Sequence, residues 1–153
     1  MKNGFTLVEL LLIMGIMAII SSFAVINLVR PQTKANLDST LGVLISDLKS
    51  QQLKAMIGDG EGGAVNSYGI YFQSSQYTLF KGTSYSVSDP NNFVVKSQGG
   101  TTFLPTFAGS QVVFSQRSGE VANFSGSANT ITTTSSGESK TIIINALGTV
   151  NIN

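Results

Sequence analysis

The sequence predicts an α+β protein in which one long N-terminal helix packs on a C-terminal antiparallel β-sheet head. Three observations predict this class. Residues 10–29 carry no charge over twenty successive positions, and residues 35–56 keep the apolar periodicity of a helix. From residue 58 onward the chain changes to Gly, Ser, Thr, Asn and Gln interleaved with short apolar runs, and this part holds eleven of the thirteen aromatic residues. Such a segment is typical of a β-rich core.

The composition excludes several kinds of chemistry. The 153 residues include nine Lys and Arg against eight Asp and Glu, so the net charge is +1 and no strong basic or acidic field is expected. The chain has no His, no Cys and no Trp. Disulfides, zinc sites with Cys or His ligands and Ser/His/Asp catalysis are therefore excluded. We expect a non-enzymatic protein without a cofactor or a metal.

The apolar N-terminal run predicts a hydrophobic helix over residues 5–30. Between Phe5 and Val29 the only ionisable side chain is Glu9. Twenty residues that rise about 1.5 Å each are enough to cross about 30 Å of hydrocarbon, so this half of the helix is predicted to be transmembrane. A secretory signal peptide cut after Ala24 and a plain single-pass anchor are alternatives. Neither alternative gives Glu9 a role. A role is needed because a carboxylate at the centre of a membrane costs about 2.5 to 3.5 kcal/mol.

The residues around Glu9 form a specific pattern. Gly4-Phe5-Thr6-Leu7-Val8-Glu9-Leu10 follows the short basic leader Met1-Lys2-Asn3 and leads directly into the apolar run. This arrangement resembles the class III signal of type IV prepilins and type II secretion pseudopilins. The resemblance implies that residues 1–4 are a leader, that a prepilin peptidase cuts between Gly4 and Phe5, and that the new Phe5 amine is N-methylated. It also implies that Glu9 pairs with the N-terminal amine of an adjacent subunit during filament assembly.

Helical periodicity continues over residues 31–57, which are predicted to form an amphipathic continuation of the helix. Lys34, Asp38, Lys49 and Lys54 mark its solvated sides. Pro31 lacks a backbone donor and predicts a kink or a local break. The apolar stripe has spacings of three, four and seven residues and comprises Leu37, Leu41, Leu44, Ile45, Leu48, Ala55 and Met56.

A glycine-rich link over residues 58–67 is predicted between the rod and the head, with Gly58 as the helix C-cap. Its G-x-G-x-x-G pattern follows a helix and precedes a strand, which is the reverse of a dinucleotide site. Asp59 and Glu61 lie in the link. Two carboxylates are too few by themselves for Ca²⁺, which takes six to eight oxygen ligands.

Residues 68–153 are predicted to form the β-rich globular head. The aromatic runs 68–73 and 76–81 predict a hairpin with Ser74-Ser75 at its turn. A Ser-Ser-Gly-Glu turn over 135–138 separates two further predicted strands, and Ser118-Gly119 marks another turn. The remaining strands are predicted at 93–96, 111–114, 121–124, 130–134, 140–145 and 148–152.

The order of helix, aromatic hairpin and closing strands resembles the minor pseudopilin H and FimT-like minor pilin subfamily. The resemblance implies a structural subunit of a type II secretion or type IV pilus filament, inserted in the bacterial inner membrane with its head on the outer, periplasmic side. The implied partners are other pilin or pseudopilin subunits, the prepilin peptidase, an inner-membrane assembly platform with its ATPase, and membrane lipid.

Two alternatives remain at the level of sequence. The first is a DNA-binding minor pilin for DNA uptake, which would need clustered cations. Here Arg117 stands alone, Lys140 is the last cation, and residues 145–153 have none. Nucleic acid is therefore not an expected partner, unless Lys81, Lys96, Arg117 and Lys140 form a stripe in three dimensions. The second alternative is a simple secreted or membrane-anchored β-domain.

Overall fold

A long N-terminal helix dominates the computed structural model, which describes residues 6–58 and 65–153 and, for residues 23–33, the backbone alone. Helix α1 runs from Leu7 to Ile57, 51 residues, and is about 75 Å long. Its C-cap is Gly58, whose φ of 85° suits glycine and whose backbone N–H donates to the Lys54 carbonyl at 2.8 Å. The helix therefore ends where the glycine-rich link was predicted to begin.

The backbone of α1 is helical without interruption through Pro31. The expected local break at this position is therefore wrong. A proline removes its own backbone donor, and the turns on both sides keep their helical geometry. The loss of one donor is thus tolerated inside a helix of this length.

Residues 7–22 of α1 pack against nothing in the described chain. All residues from Thr6 to Ser22 are exposed. In the part of the chain that the structure describes, no helical stretch is sufficiently long and apolar to cross a membrane. The transmembrane prediction for residues 5–30 is therefore not confirmed.

The second half of α1 buries one stripe of side chains against the head. The predicted stripe is confirmed at five positions, Leu37, Leu41, Leu44, Leu48 and Ala55, and Ile45 is partly buried against the same core. Met56 was also predicted to be buried, but it is 45% exposed. It follows Ala55 directly, and one residue turns the helix by about 100°, so the Met56 side chain leaves the stripe. Gln51, which is 3% exposed, occupies the stripe position between Leu48 and Ala55.

The head contains eight strands in two antiparallel sheets. The first sheet has the strand order β3-β2-β1-β5 and the second has the order β4-β6-β7-β8. A short 3₁₀ turn, Ala108–Ser110, leads into β5. The strands are β1 (Tyr68–Gln73), β2 (Gln76–Lys81), β3 (Phe93–Lys96), β4 (Thr102–Pro105), β5 (Gln111–Phe114), β6 (Thr130–Ser135), β7 (Glu138–Ile144) and β8 (Val150–Ile152). The predicted α+β class with antiparallel sheets is therefore confirmed.

Two hairpin turns follow the sequence signals closely. Gln73 pairs with Gln76, which leaves Ser74-Ser75 as the two-residue turn between β1 and β2. Ser135 pairs with Glu138 across Ser136 and Gly137, whose φ angles are 47° and 87°. Two successive positive φ angles are the signature of a type I′ turn, which matches the twist of the flanking strands.

The predicted strand at 121–124 is wrong, because only Val121 forms a β-bridge, to Phe114. The Asn123 side chain takes over the pairing with β5. Its Nδ2 donates to the Gln111 carbonyl at 2.7 Å, and its Oδ1 accepts from the Val113 N–H at 3.2 Å. The side-chain amide of Asn123 thus takes the place of backbone groups that a fifth strand beside β5 would supply.

Strand β4 was missed by the sequence reasoning. It lies at the edge of the second sheet and ends at Pro105, which pairs with Ile131. Proline is tolerated at an edge because it needs no partner for an N–H group. Phe103 is buried and Leu104 is exposed, but both residues are apolar, so the sequence shows no alternating pattern in this strand.

Each sheet is joined to α1 by apolar packing and by one charged contact. From the first sheet, the Tyr77 hydroxyl donates to the Asp47 carboxylate at 2.6 Å. Burial, together with this hydrogen bond, raises the pKa of Tyr77 well above its ordinary value, so the phenol stays protonated. From the second sheet, Lys140 Nζ donates to Asp38 Oδ1 at 2.6 Å and lowers the pKa of Asp38. This second contact is therefore present above the ordinary pKa of an aspartate and is lost as the pH falls through the lowered value.

We expect Gly69→Ala to lower the free energy of unfolding by about 1 to 3 kcal/mol. A Cβ at Gly69 would lie 2.5 Å from Phe80 Cζ and 2.6 Å from the Val112 carbonyl oxygen. Chemical denaturation of the detergent-solubilised full chain, followed by tyrosine fluorescence, measures the effect. Gly42→Ala is the matched control, since its Cβ would meet no atom within 4 Å on an exposed helix face and should stabilise by about 0.5 to 1 kcal/mol. Equal stability of the two variants would contradict the packing described.

Candidate functional site at the N-terminal end of the helix

The first turn of α1 is organised by Thr6. Its side-chain Oγ1 accepts the backbone N–H of Glu9 at 3.3 Å, and its carbonyl accepts the N–H of Leu10 at 3.2 Å. Thr6 is therefore the N-cap, and Thr6 with Glu9 has the Thr-x-x-Glu spacing of a capping box. The sequence reasoning missed this role of Thr6, although the spacing is visible in the sequence.

The Glu9 carboxylate lies on the exposed surface of the first helical turn. A negative charge is favoured there because the helix N-terminus carries a partial positive charge. Among the described residues the only ion pair is that of Asp38 with Lys140, so Glu9 has no cationic partner within this part of the chain. The carboxylate is thus accessible to a cation from another molecule.

Glu9 is surrounded by an apolar surface that the described chain leaves uncovered. Leu7 is 79% exposed, Met14 is 66% exposed and Ile20 is 59% exposed. A helix that is apolar on all sides is normally buried in a large core, a membrane or an assembly. Eleven large apolar side chains contribute to this exposed surface: Leu7, Val8, Leu10, Leu11, Leu12, Ile13, Met14, Ile16, Met17, Ile19 and Ile20.

The structure tests only part of the predicted site. Gly4 and Phe5, the predicted cleavage and N-methylation residues, lie outside the described residues, as do Asp59 and Glu61 of the link. Glu9 is described, and the structure brings it together with Thr6. Within the described ranges, no group of three or more acidic side chains is placed to hold a metal ion.

The basic side chains of the head do not line up along one strand. In the first sheet, Gln76 pairs with Lys96 at one end of the β2–β3 ladder, whereas Lys81 pairs with Tyr68 at the other end of β2. Five residues separate these positions, or roughly 16 Å along the strand. Lys140 belongs to the second sheet and is engaged with Asp38. Lys81 and Lys96 therefore lie at opposite ends of the first sheet, and the ammonium group of Lys140 is already paired.

Comparison with known proteins addresses the N-terminal segment. Residues 1–25 match the family model for the prokaryotic N-terminal methylation motif. The match spans the leader, the Gly4/Phe5 junction, Glu9 and most of the apolar run, and it supports a type IV pilin-like protein with prepilin processing. No curated protein and no solved structure matches the chain. The assignment to the minor pseudopilin H and FimT-like subfamily is therefore not confirmed.

Thr6→Ala should weaken the first turn of α1, because the cap acceptor for the Glu9 amide is lost. An N-cap substitution of this kind costs about 1 kcal/mol, which corresponds to roughly fivefold faster exchange of the first protected amides. Hydrogen exchange of the detergent-solubilised full chain, read at residues 9–11, measures this. Thr6→Asp keeps a capping oxygen and should exchange like the unmodified chain. Unchanged exchange in Thr6→Ala would show that the cap contributes nothing.

Proposed function

We propose that the chain is a non-enzymatic structural subunit of a type IV pilus or type II secretion filament. One observation carries the proposal. A methylation motif over residues 1–25 leads into a helix whose exposed apolar surface is covered by nothing in the described chain. The motif supports removal of a leader that stands before the apolar segment, so the apolar helix is retained in the mature protein. A retained apolar surface of this kind needs other molecules to bury it.

In the proposed maturation, a prepilin peptidase cuts between Gly4 and Phe5 and methylates the new amine of Phe5. Before assembly, the uncharged run of residues 10–29 holds the subunit in the bacterial inner membrane, with the head on the outer side. The support for membrane insertion comes from the sequence, in which twenty successive residues carry no charge. The partners at this stage are the peptidase and membrane lipid.

In the proposed filament, Glu9 sets the axial register between neighbouring subunits. A carboxylate buried among apolar helices is strongly unfavourable unless a positive charge compensates it, and the N-terminal amine of a neighbouring subunit supplies that charge. Four residues separate Phe5 from Glu9, so the pair would offset neighbouring subunits by roughly 6 to 14 Å, the reach of four residues from helical to extended backbone. One ionic contact thus sets the axial step of the assembly.

Transfer from the membrane to the filament requires external work. Burying a large apolar side chain from water contributes about 1.5 to 3 kcal/mol. Lipid tails are already apolar, so the gain on leaving the membrane is much smaller. An inner-membrane assembly platform with its ATPase is therefore part of the proposal, together with other pilin or pseudopilin subunits.

Within this class we place the chain in the minor pseudopilin H and FimT-like subfamily. The support is the order of elements in the head, where the β1–β2 hairpin follows the helix and a second antiparallel sheet closes the chain. The scattered cations described above favour a structural role over DNA capture.

The intact mass of the protein extracted from membranes or filaments should equal the chain from Phe5 to Asn153 plus one methyl group. The variant Gly4→Val should retain residues 1–4, because the small residue before the cleaved bond is lost. A mature chain that begins at Val25 would instead indicate ordinary secretion and would refute the proposed processing.

Glu9→Gln should leave membrane insertion and cleavage intact and reduce incorporation into filaments at least tenfold. The glutamine preserves the side-chain shape and the helix, so only the charge that pairs with the amine is removed. Quantitative immunoblotting of sheared filaments against membrane-bound protein measures the ratio. Glu120→Gln removes the same charge from an exposed head position and should assemble normally. Normal incorporation of the Glu9→Gln variant into filaments would refute the proposed role of Glu9 in setting the register.

A further inference from the structure

A cavity of about 340 Å³ lies between the last turns of α1 and one end of the first sheet. Small-molecule sites commonly occupy about 300 to 1,000 Å³, so this volume fits a ligand of monosaccharide size. The side chains that matter for its chemistry come from α1, β2, β3 and the loop before β3: Gln51, Lys54, Leu79, Lys81, Asn91 and Phe93.

The strand register explains why the cavity forms here. Leu79 pairs with Phe93, and Lys81 lies two residues further along β2, where β3 no longer provides a partner. Residues at spacing two share a face, so Leu79 and Lys81 lie on the same side as Tyr77, whose hydroxyl contacts α1. The sheet thus continues past the closely packed part of the helix and leaves a gap beside it.

Gln51 gives the cavity an unsatisfied acceptor. This residue is 3% exposed and occupies a position on the otherwise apolar stripe of α1. Its buried Oε1 has no hydrogen-bond partner among the described residues. Leaving a buried carbonyl oxygen unpaired is unfavourable, and a leucine would avoid that cost. The position of Gln51 on the apolar stripe is therefore explained if a hydrogen-bond donor of a ligand enters the cavity.

Lys54 and Lys81 place two positively charged side chains in the lining of the cavity. Neither ammonium group forms an ion pair with any of the described residues. The acidic residue nearest in sequence to the loop lining is Asp89, and its carboxylate accepts the backbone N–H and the side-chain Nδ2 of Asn91 at 2.8 and 2.9 Å. Two like charges at one cavity repel each other, and an anion between them would relieve this repulsion.

The rim adds an apolar aromatic surface. Phe93 is 64% exposed although it belongs to β3, and it is one of the residues that line the cavity. A ring-shaped ligand with C–H groups on one face can cover such a side chain while its polar groups face inward. The cavity therefore combines cations, an amide acceptor and an aromatic rim.

We propose that this cavity binds a small hydroxylated carboxylate of the uronic acid type. The carboxylate lies between Lys54 and Lys81, a hydroxyl group donates to Gln51 Oε1, and the apolar face of the sugar ring covers Phe93. The cavity belongs to the head and to the second half of α1, so its lining does not include Glu9 or the exposed apolar residues that the proposed assembly uses.

The test is a titration of the detergent-solubilised full chain with D-glucuronate at low ionic strength, followed by calorimetry. Saturable binding at least tenfold tighter than that of D-glucose or acetate is expected, because glucose lacks the charge and acetate lacks the hydroxyl groups. Absence of saturable glucuronate binding, or equal binding of all three compounds, would overturn the proposal.

Two variants locate the site. Lys81→Met should weaken glucuronate binding at least tenfold, whereas Lys49→Met, which removes an exposed lysine of α1 away from the cavity, should leave it unchanged. Gln51→Leu should also weaken binding at least tenfold while raising the thermal midpoint of the ligand-free chain, since an unpaired buried oxygen is removed. Equal affinity of Lys81→Met and Lys49→Met would place binding elsewhere and contradict the proposal.

Discussion

The packing of one leucine stripe of α1 against both sheets is the interaction on which the structure depends. Leu41, Leu44 and Leu48 are buried together with Ile70 of the first sheet and Ile142 of the second in one continuous core. Neither four-stranded sheet would bury its inner face without this helix. The contacts of Tyr77 with Asp47 and of Lys140 with Asp38 add a polar contact between each sheet and α1.

The N-terminal part of the same helix is not covered by the head. Burial of apolar surface is favourable wherever it occurs, and the head satisfies it for residues 37–55 but not for residues 7–20. In the proposed assembly, neighbouring helices supply the missing cover, and Glu9 restricts how they can slide past one another. In this proposal, residues 37–55 of α1 are covered by the head of the same chain, whereas residues 7–20 are covered by neighbouring subunits.

Local signals in the sequence were sufficient for much of the fold. The leucine spacing predicted the buried face of α1, and the Ser74-Ser75 and Ser136-Gly137 turns fixed two hairpins. The failures arose where a tertiary contact overrode the local pattern. Asn123 pairs with β5 through its side chain instead of its backbone. Strand β4 has two adjacent apolar residues and ends at a proline, so it lacks the alternating pattern of a half-buried strand.

The features of the candidate site also differ in whether the sequence predicted them. Gly4, Phe5 and Glu9 could be predicted as site residues because their pattern is contiguous in the chain, and the methylation-motif match over residues 1–25 covers the segment in which they lie. The cap by Thr6 was visible in the spacing to Glu9 but was overlooked. The cavity at Gln51 could not be predicted from the sequence, because it depends on where β3 ends relative to α1.

The central claim is that other subunits cover the exposed apolar half of α1. A photoreactive benzoyl-phenylalanine introduced at Leu11, which is 66% exposed, tests this claim in filaments sheared from cells that express the assembly machinery. The account predicts adducts of subunit plus subunit mass from Leu11 and far fewer from the head position Val87. Adducts of Leu11 with lipid alone, or equal subunit adducts at both positions, would contradict it.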